Sequence, residues 1–183
     1  MWFIIIYFYL LLLEVTGSFI IGEKMYFEVQ LIHKDAKVPT KNYDNDLGWD
    51  LYCVEDKKFQ PENYLHHNKE DKKLQYTLYT GERHLFSTGI QIACPEGYGC
   101  FIKDRSGNAS ERGLHVIAGI IDPGYIGPIK VCIVSLSSLP QTINPGDKIA
   151  QLIFIPLLNI KPKVVDELMK TKRGKQGFGS SGR

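Results

Sequence analysis

The patch Asp-Arg-Ser-Gly at positions 104–107 has the side chains best suited to binding an anion. Arg105 supplies a guanidinium, Ser106 a hydroxyl, and Gly107 a backbone amide that an anion can approach closely. With 22 basic and 20 acidic residues, the chain has a formal net charge of only +2. It therefore lacks the long-range field that holds a nucleic-acid backbone, and no nucleic-acid partner is predicted. Any anion must be bound locally.

Two further patches place carboxylates beside turn-forming residues. In the segment 119–127, the pair Pro123-Gly124 favours a tight turn, which puts Asp122 and Tyr125 at the tip of a predicted hairpin. Asp50 stands where a shorter alternating strand begins. Turns rich in Asp, Gly and Ser are usually only turns, so no single patch identifies a function.

The elements that must position these patches are predicted to be short β-strands. Apolar and polar residues alternate over several runs, which are separated by Gly, Pro, Asn and Asp. Residues 164–170 could form a helical turn or two, or a loop. The pattern predicts one all-β domain, a sandwich or jelly roll. The alternating runs are 27–31, 86–93, 100–103, 129–134 and 149–155.

The four cysteines are predicted to be reduced residues that pack in the interior. They form no CxxC pair and have no His-containing metal spacing. All but the first lie in β-like segments. They are Cys53, Cys94, Cys100 and Cys132.

The segment 1–24 differs from the rest of the chain. Its apolar run extends over residues 2–21 if Glu14 is tolerated, which is near the lower limit for spanning a bilayer, but no Lys or Arg precedes Lys24. Three interpretations compete: an anchor or organelle leader, a cleaved signal, or sequence upstream of a true start at Met25. The third is favoured because a complete domain can be read from Met25. It predicts a cytoplasmic or nuclear protein, whereas membrane association or an organelle location requires that residues 2–21 be retained.

Two polar segments belong to the predicted β domain, 25–168, or follow it. Residues 55–83 are expected to form a long solvated hairpin. The tail 169–183 is glycine-rich and basic and cannot fold on itself. It is either a disordered end or a flexible lid, in which Arg173 and glycine amides bind phosphate and Phe178 offers a stacking face.

Taken in order, the patches resemble the five motifs of the trimeric dUTP pyrophosphatases, over about residues 25–183. Five motifs in this order are specific, although each alone is not. The resemblance implies a distorted jelly-roll (β-clip) barrel and a homotrimer with shared active sites and a flexible C-terminal arm. It also implies hydrolysis of dUTP to dUMP and pyrophosphate. The motifs are 48–52 (preceded by 36–40), 105–107, 119–127, 145–152 and 173–182.

The resemblance assigns roles to the residues of the reaction centre. Asp122 would act as general base on the water that attacks the α-phosphorus. Gln151 would help to hold this water or a phosphate oxygen. Arg105, Ser106 and Gly107 would contact the triphosphate and stabilise the charge that develops as pyrophosphate leaves.

The resemblance also implies how the nucleoside is selected. Extended backbone in the third motif and near Lys130 would pair with the uracil edge, where cytosine would present a donor in place of an acceptor. Tyr125 beneath the sugar would exclude a ribose hydroxyl, and Phe178 of the arm would stack on the base. The remaining implied contacts are Gly119, Ile120, Ile121, Arg173, Gly179 and Ser180.

Mg²⁺ is the implied cofactor. A hard cation that keeps several waters is usually carried on the phosphates of the substrate. Asp50 would reach it at most through water, and no other protein ligand is expected.

Two rival functions fit the sequence less well. A dCTP deaminase, which is a related enzyme, needs a glutamate in the strand after the turn, where this chain has Cys132. A non-catalytic jelly-roll trimer would be favoured by loss of Asp122, Gln151 or the aromatic residue of the tail, and all are present. The chain departs from the usual pattern at Asp104, where proline is common, and at Trp49, where tyrosine is common.

Overall fold

The computed structural model describes residues 25–55, 65–67 and 74–175, with the backbone alone at 65–67 and 74. Over these ranges the chain is almost entirely β-structure, in three sheets. One sheet has the order β1 (Glu28–Leu31), β5 (Arg83–Ala93), β9 (Pro128–Ser135), β7 (Leu114–Ile117). The second has the order β2 (Trp49–Tyr52), β11 (Lys148–Pro156), β6 (Tyr98–Lys103), β8 (Ile120–Ile121). The third has the order β10 (Gln141–Ile143), β4 (Leu74–Leu78), β3 (Leu65–His67).

The core is a single apolar cluster to which all three sheets contribute. In β9 the side chains alternate strictly, with Ile129, Val131 and Ile133 buried and the residues between them half-buried. Phe86 of β5 and Leu152 of β11 are also buried in this cluster. Each such side chain stabilises the fold by roughly 1.5–3 kcal/mol. The predicted all-β jelly roll is therefore confirmed, because the strands of all three sheets bury one face each in a single core.

The chain changes sheets just before the turn at Pro123-Gly124. Strand β7 pairs with β9, whereas β8 pairs with β6 of the other sheet. At the crossing, Ala118 and Gly119 have positive φ angles of 66° and 104°. A Cβ at Gly119 would lie 2.6 Å from the carbonyl oxygen of Ile102, so glycine is required by contact as well as by conformation. The turn is present as predicted, but the hairpin prediction was wrong: β8 and β9 belong to different sheets and diverge from the turn.

The insertion at 55–83 contains a hairpin, as predicted, but the hairpin is not fully solvated. Strands β3 and β4 pair antiparallel, and β4 also pairs with β10. Tyr76 and Leu78 of β4 are buried in the core. Their alternating positions place both side chains on the inner face, so the second half of the insertion is part of the domain.

Between Pro156 and the end of the described chain at residue 175 there is no regular β-structure. Residues 157–175 are exposed throughout, and 164–170 form a loop, one of the two predicted alternatives. The single helix of the described chain is α1 (Ser106–Ser110). None of the described helical structure has the length or apolarity to cross a bilayer. The predictions for 1–24, and for Phe178, Gly179 and Ser180, lie outside the described residues.

Candidate active site

A first cleft, of about 360 Å³, lies where β2 and β11 approach the start of α1. The ladder between these strands places Asp50 directly opposite Gln151. The next ladder places Gln151 opposite Lys103, immediately before the patch 104–107. Three motifs that are distant in sequence therefore meet in this cleft. Its lining includes Gly48, Asp50, Arg105, Ser106, Gly107 and Gln151.

The charge centre of this cleft is the carboxylate of Asp50, which is 9% exposed. Arg105 Nε donates to its Oδ1 at 2.7 Å, and Lys148 Nζ lies 2.8 Å from its Oδ2. The hydrogen bond to Asp50 raises the pKa of Lys148, an effect that partial burial opposes. Because both carboxylate oxygens are bound to cations, Asp50 fixes the position of the Arg105 guanidinium.

The amide of Gln151 is oriented by the backbone of the neighbouring strand end. Its Nε2 donates to the carbonyl oxygen of Asp104 at 2.7 Å. The Asp104 carboxylate in turn accepts from the amide of Val116 at 2.5 Å and lies 2.7 Å from His115 Nδ1. On the other side, a Cβ at Gly48 would lie only 2.2 Å from Gln151 Oε1. The side chain of Gln151 is thus held between a fixed carbonyl and a glycine.

The short helix α1 begins at Ser106 and is fixed to the strand beneath it. Asn108 is buried, and its Nδ2 donates to the carbonyl oxygens of Lys148 and Ile149 at 3.1 and 3.2 Å. Ser106 is exposed at the mouth of the cleft, and a Cβ at Gly107 would meet nothing within 4 Å. The backbone of the patch is therefore open to a ligand, as an anion-binding segment requires.

A second pocket, of about 570 Å³, lies between the diverging strands β8 and β9. Its lining is largely apolar, with Leu85 and Pro128 in addition to predicted residues. Asp122 is exposed at its rim. A planar base could enter such a pocket between two strand edges. The predicted residues that line it are Ile120, Ile121, Asp122, Tyr125 and Lys130.

The turn beside this pocket is held rigidly. The Tyr125 amide donates to the Asp122 carbonyl oxygen at 3.1 Å, and Gly124 has a φ of 78°, as a type II turn with proline at its second position requires. The Tyr125 hydroxyl donates to the carbonyl oxygen of Pro128 at 3.1 Å. A Cβ at Gly127 would lie 2.5 Å from that hydroxyl, so the ring packs directly against the glycine.

The structure divides the predicted site residues into these two groups. Asp122 lines the second pocket and Gln151 lines the first, whereas Gly119 is in the lining of neither. Arg173 is described and exposed, beyond the last strand. Sequence reasoning missed Lys148 and Asn108 as parts of the site. Lys148 stands in the fourth motif, but only the β2–β11 register, which pairs it with Tyr52, reveals that it reaches Asp50.

Comparison with known proteins adds independent evidence. A family model described as dUTPase matches residues 72–182. The deoxyuridine 5'-triphosphate nucleotidohydrolase of Clostridium tetani is 34% identical over 158 residues, which cover 85% of this chain and 96% of that protein. The protein of the same name from Leifsonia xyli subsp. xyli is 46% identical over 109 residues, covering 58% of this chain and 72% of that protein.

Solved structures share the fold. A mutant dUTPase of Staphylococcus bacteriophage 80alpha with dUpNHpp has a TM-score of 0.69 and 24% identity, and the match covers 87% of this chain and 100% of that chain. A mutant dUTPase from phage phi11 of S. aureus has a TM-score of 0.63 and 23% identity, and the match covers 80% of this chain and 100% of that chain. The latter structure is described as revealing the coordination of a structural Mg(II) ion.

Proposed function

The chain belongs to the dUTPase family, and from this premise we propose that it hydrolyses dUTP to dUMP and pyrophosphate. The observation that carries the proposal is the position of Asp122. Its carboxylate is exposed on a rigid turn at the rim of the 570 Å³ pocket, not buried in the interior. A nucleoside in this pocket leaves its phosphates outside, next to that carboxylate.

The reaction follows from the chemistry of the two groups of residues. Asp122 takes a proton from a water molecule as that water attacks the α-phosphorus. Gln151, held by the Asp104 carbonyl, orients the same water or a phosphate oxygen. Arg105, Ser106 and the Gly107 amide stabilise the negative charge of the departing pyrophosphate. Since Asp50 already fixes the guanidinium, little reorganisation is needed during the reaction.

The pocket between the diverging strands β8 and β9 would select uracil. The edge of the base would face the backbone of 119–121 and of Lys130, with donors and acceptors complementary to uracil. The Tyr125 ring, fixed against Gly127, would lie beneath the sugar and leave no room for a ribose hydroxyl.

A homotrimer with shared active sites would bring the two groups together. Asp122 and Gln151 line different clefts of one protomer, so a neighbouring copy can supply the group that each site lacks. The segment after Pro156, which leads into the C-terminal arm, also exposes apolar side chains that a partner surface would bury, among them Ile160, Leu168 and Met169. We place Arg173, Phe178, Gly179 and Ser180 of this arm over the nucleotide of a neighbouring subunit, where they close the site.

Mg²⁺ would enter this site bound to the substrate. When bound, it neutralises part of the triphosphate charge and lowers the repulsion that an attacking water meets. Both oxygens of Asp50 are bound to Arg105 and Lys148, so its contact with the ion would run through water. The donor set of this cleft therefore fits an ion that keeps its waters and is held mainly by phosphates.

The compartment depends on the residues before Met25. A mature protein that begins there is proposed to be cytoplasmic or nuclear, and one that retains residues 2–21 to associate with a membrane or organelle. The mass of the natural N-terminus distinguishes the two.

A substrate panel tests the activity. With Mg²⁺, pyrophosphate should be released from dUTP and much more slowly from dCTP, dTTP and UTP. Similar rates on all four would contradict the proposed base and sugar selection. Ammonia released from dCTP would identify a deaminase.

Subunit mixing tests whether the active sites are shared. Asp122→Asn and Arg105→Ala are each expected to be inactive alone, because each lacks one of the two groups. After they are unfolded together and refolded, mixed trimers should regain activity, since some sites combine an intact Asp122 with an intact Arg105 from another chain. A mixture that forms trimers but stays inactive would mean that each site uses one chain for both groups.

A further inference from the structure

Cys94 and Cys100 are in contact through their sulfur atoms. Their Sγ atoms lie 2.7 Å apart, and both residues are free thiols. Cys94 follows the last residue of β5, and Cys100 lies within β6, so the contact joins strands of the two four-stranded sheets. We propose that these two residues are a site of reversible oxidation, at which a peroxide forms an intramolecular disulfide between the sheets.

The geometry favours cross-linking over other fates of these thiols. A disulfide bond is about 2.05 Å long, so the sulfur atoms need to approach by less than an ångström. The turn 95–98 lies between the two residues, and it is closed by the Tyr98 amide, which donates to the Pro95 carbonyl oxygen at 3.1 Å. Gly97, with a φ of 77°, permits this tight turn. The separation of the two sulfur atoms is therefore already close to that of the bond.

The surroundings of the two thiols set the order of the reaction. Cys94 is half-buried and within reach of a small oxidant, whereas Cys100 is 1% exposed. Burial raises the pKa of the Cys100 thiol, and the contact with Cys94 raises it further. Cys100 is thus a poor thiolate and is expected to react second, whereas Cys94 is the thiol that the oxidant meets first.

The chemistry balances with hydrogen peroxide as oxidant. The Cys94 thiolate attacks one peroxide oxygen and becomes a sulfenic acid, and the hydroxide released takes up a proton to form water. The Cys100 thiol loses its proton and attacks the sulfenic sulfur, which releases a second water as the S–S bond forms. Two thiols and one peroxide thus give one disulfide and two waters, and a dithiol reductant reverses the change.

The cross-link would fix the segment 94–100, which contacts the strand before Asp122 and the residue that follows β11. Cys100 lies opposite Ile121, the residue before Asp122. The amide of Leu157, the first residue after β11, donates to the carbonyl oxygen of Gly97 at 2.8 Å. An added bond here restricts the unfolded chain and should raise the thermal unfolding midpoint of the oxidised protein.

Peptide mapping of the full chain tests the proposal directly. Trypsin cleaves after Arg83 and Lys103, so Cys94 and Cys100 share the peptide 84–103, which contains no other cysteine. After mild peroxide treatment, alkylation and digestion without reductant, this peptide should carry no alkyl group. Its mass should be lower than that of the reduced, unalkylated peptide by two hydrogen atoms. Two alkyl groups on it, a sulfinic acid at Cys94, or a link to Cys53 or Cys132 would overturn the proposal.

Two variants supply matched comparisons. Cys132→Ser removes a half-buried thiol on another strand and should leave the cross-link and its effect on the unfolding midpoint unchanged. Cys94→Ser should lose both, with Cys100 alkylated after the protein is unfolded. A peroxide-induced rise in the unfolding midpoint that persists in Cys94→Ser would contradict the assignment. The peptide map of the unsubstituted protein decides the matter even if Cys94→Ser folds poorly.

Discussion

The two clefts of this molecule are built by different means. The pocket between β8 and β9 is shaped by backbone conformation: a type II turn, positive φ angles at Ala118 and Gly119, and two strands that diverge into different sheets. The cleft between β2 and β11 is instead organised by charge, with Asp50 held between Arg105 and Lys148. The first is mainly apolar and suits a base, and the second is polar and suits phosphates.

The two clefts suit different parts of the proposed reaction. Backbone shape can select a rigid planar group without charge, whereas the triphosphate needs cations that are already fixed in place. In the proposed mechanism, the general base belongs to the first region and the charge stabilisation to the second. Substitutions in the two regions should therefore change different properties of the enzyme.

The largest effect is expected for Asp122→Asn in the pocket region. The amide keeps the shape of the carboxylate but cannot take a proton, so kcat should fall by roughly 10²–10⁴-fold while nucleotide affinity is retained. Steady-state pyrophosphate release and calorimetric binding of a non-hydrolysable analogue measure the two quantities. Asp44→Asn, on an exposed loop, is the control. Unchanged turnover in Asp122→Asn would refute the general-base assignment.

The next largest effect is expected for Gly48→Ala in the charged cleft. The new methyl would lie 2.2 Å from Gln151 Oε1, so Gln151 must move. Misplacement of an orienting group should lower kcat/KM by roughly 10- to 100-fold. Gly99→Ala is the matched control, since its nearest neighbour would be at 3.5 Å. Equal activities of the two variants would mean that the position of Gln151 does not limit the reaction.

Asp50→Asn should affect stability as well as substrate binding. It leaves Arg105 and Lys148 without their shared anion and should lower the free energy of unfolding by about 1.5–3 kcal/mol, with a raised KM. Urea unfolding measures the loss. Asp35→Asn removes only contacts at the surface, with Lys34 and His33, and should change stability by less than about 0.5 kcal/mol. Similar losses in both variants would show that burial of the Asp50 ion pairs adds nothing to the free energy of unfolding.

The smallest effect is expected from pH. The bond to Asp50 raises the pKa of Lys148 above its ordinary value of 10.5. Stability from this pair is therefore complete below that value and is lost as pH rises through the higher folded-state pKa. Urea midpoints should fall more steeply as pH rises above 10.5 in the natural chain than in Lys148→Gln. Lys34→Gln, at an exposed lysine, should behave like the natural chain, and identical slopes in all three would exclude the linkage.

Much of the fold could be predicted because its signals are local. The alternation at 129–134 predicts β9 and its inward side chains, and Pro123-Gly124 predicts the turn without any knowledge of its neighbours. The pairing partners of β8 could not be predicted. Two residues, Ile120 and Ile121, carry no information about which sheet they join, and the hairpin prediction failed for that reason.

The sequence by itself determined the all-β class and the order of the five motifs, because residue types and spacing record these properties directly. The proposed reactive groups came from the family resemblance that the motifs carry. Tertiary structure alone decided that Lys148 shares the Asp50 carboxylate, that Gln151 is held by the Asp104 carbonyl, and that Cys94 meets Cys100 across two sheets. The physical reason is register. A shift of one residue between paired strands turns every side chain to the other face, and register depends on long-range packing that no local pattern specifies.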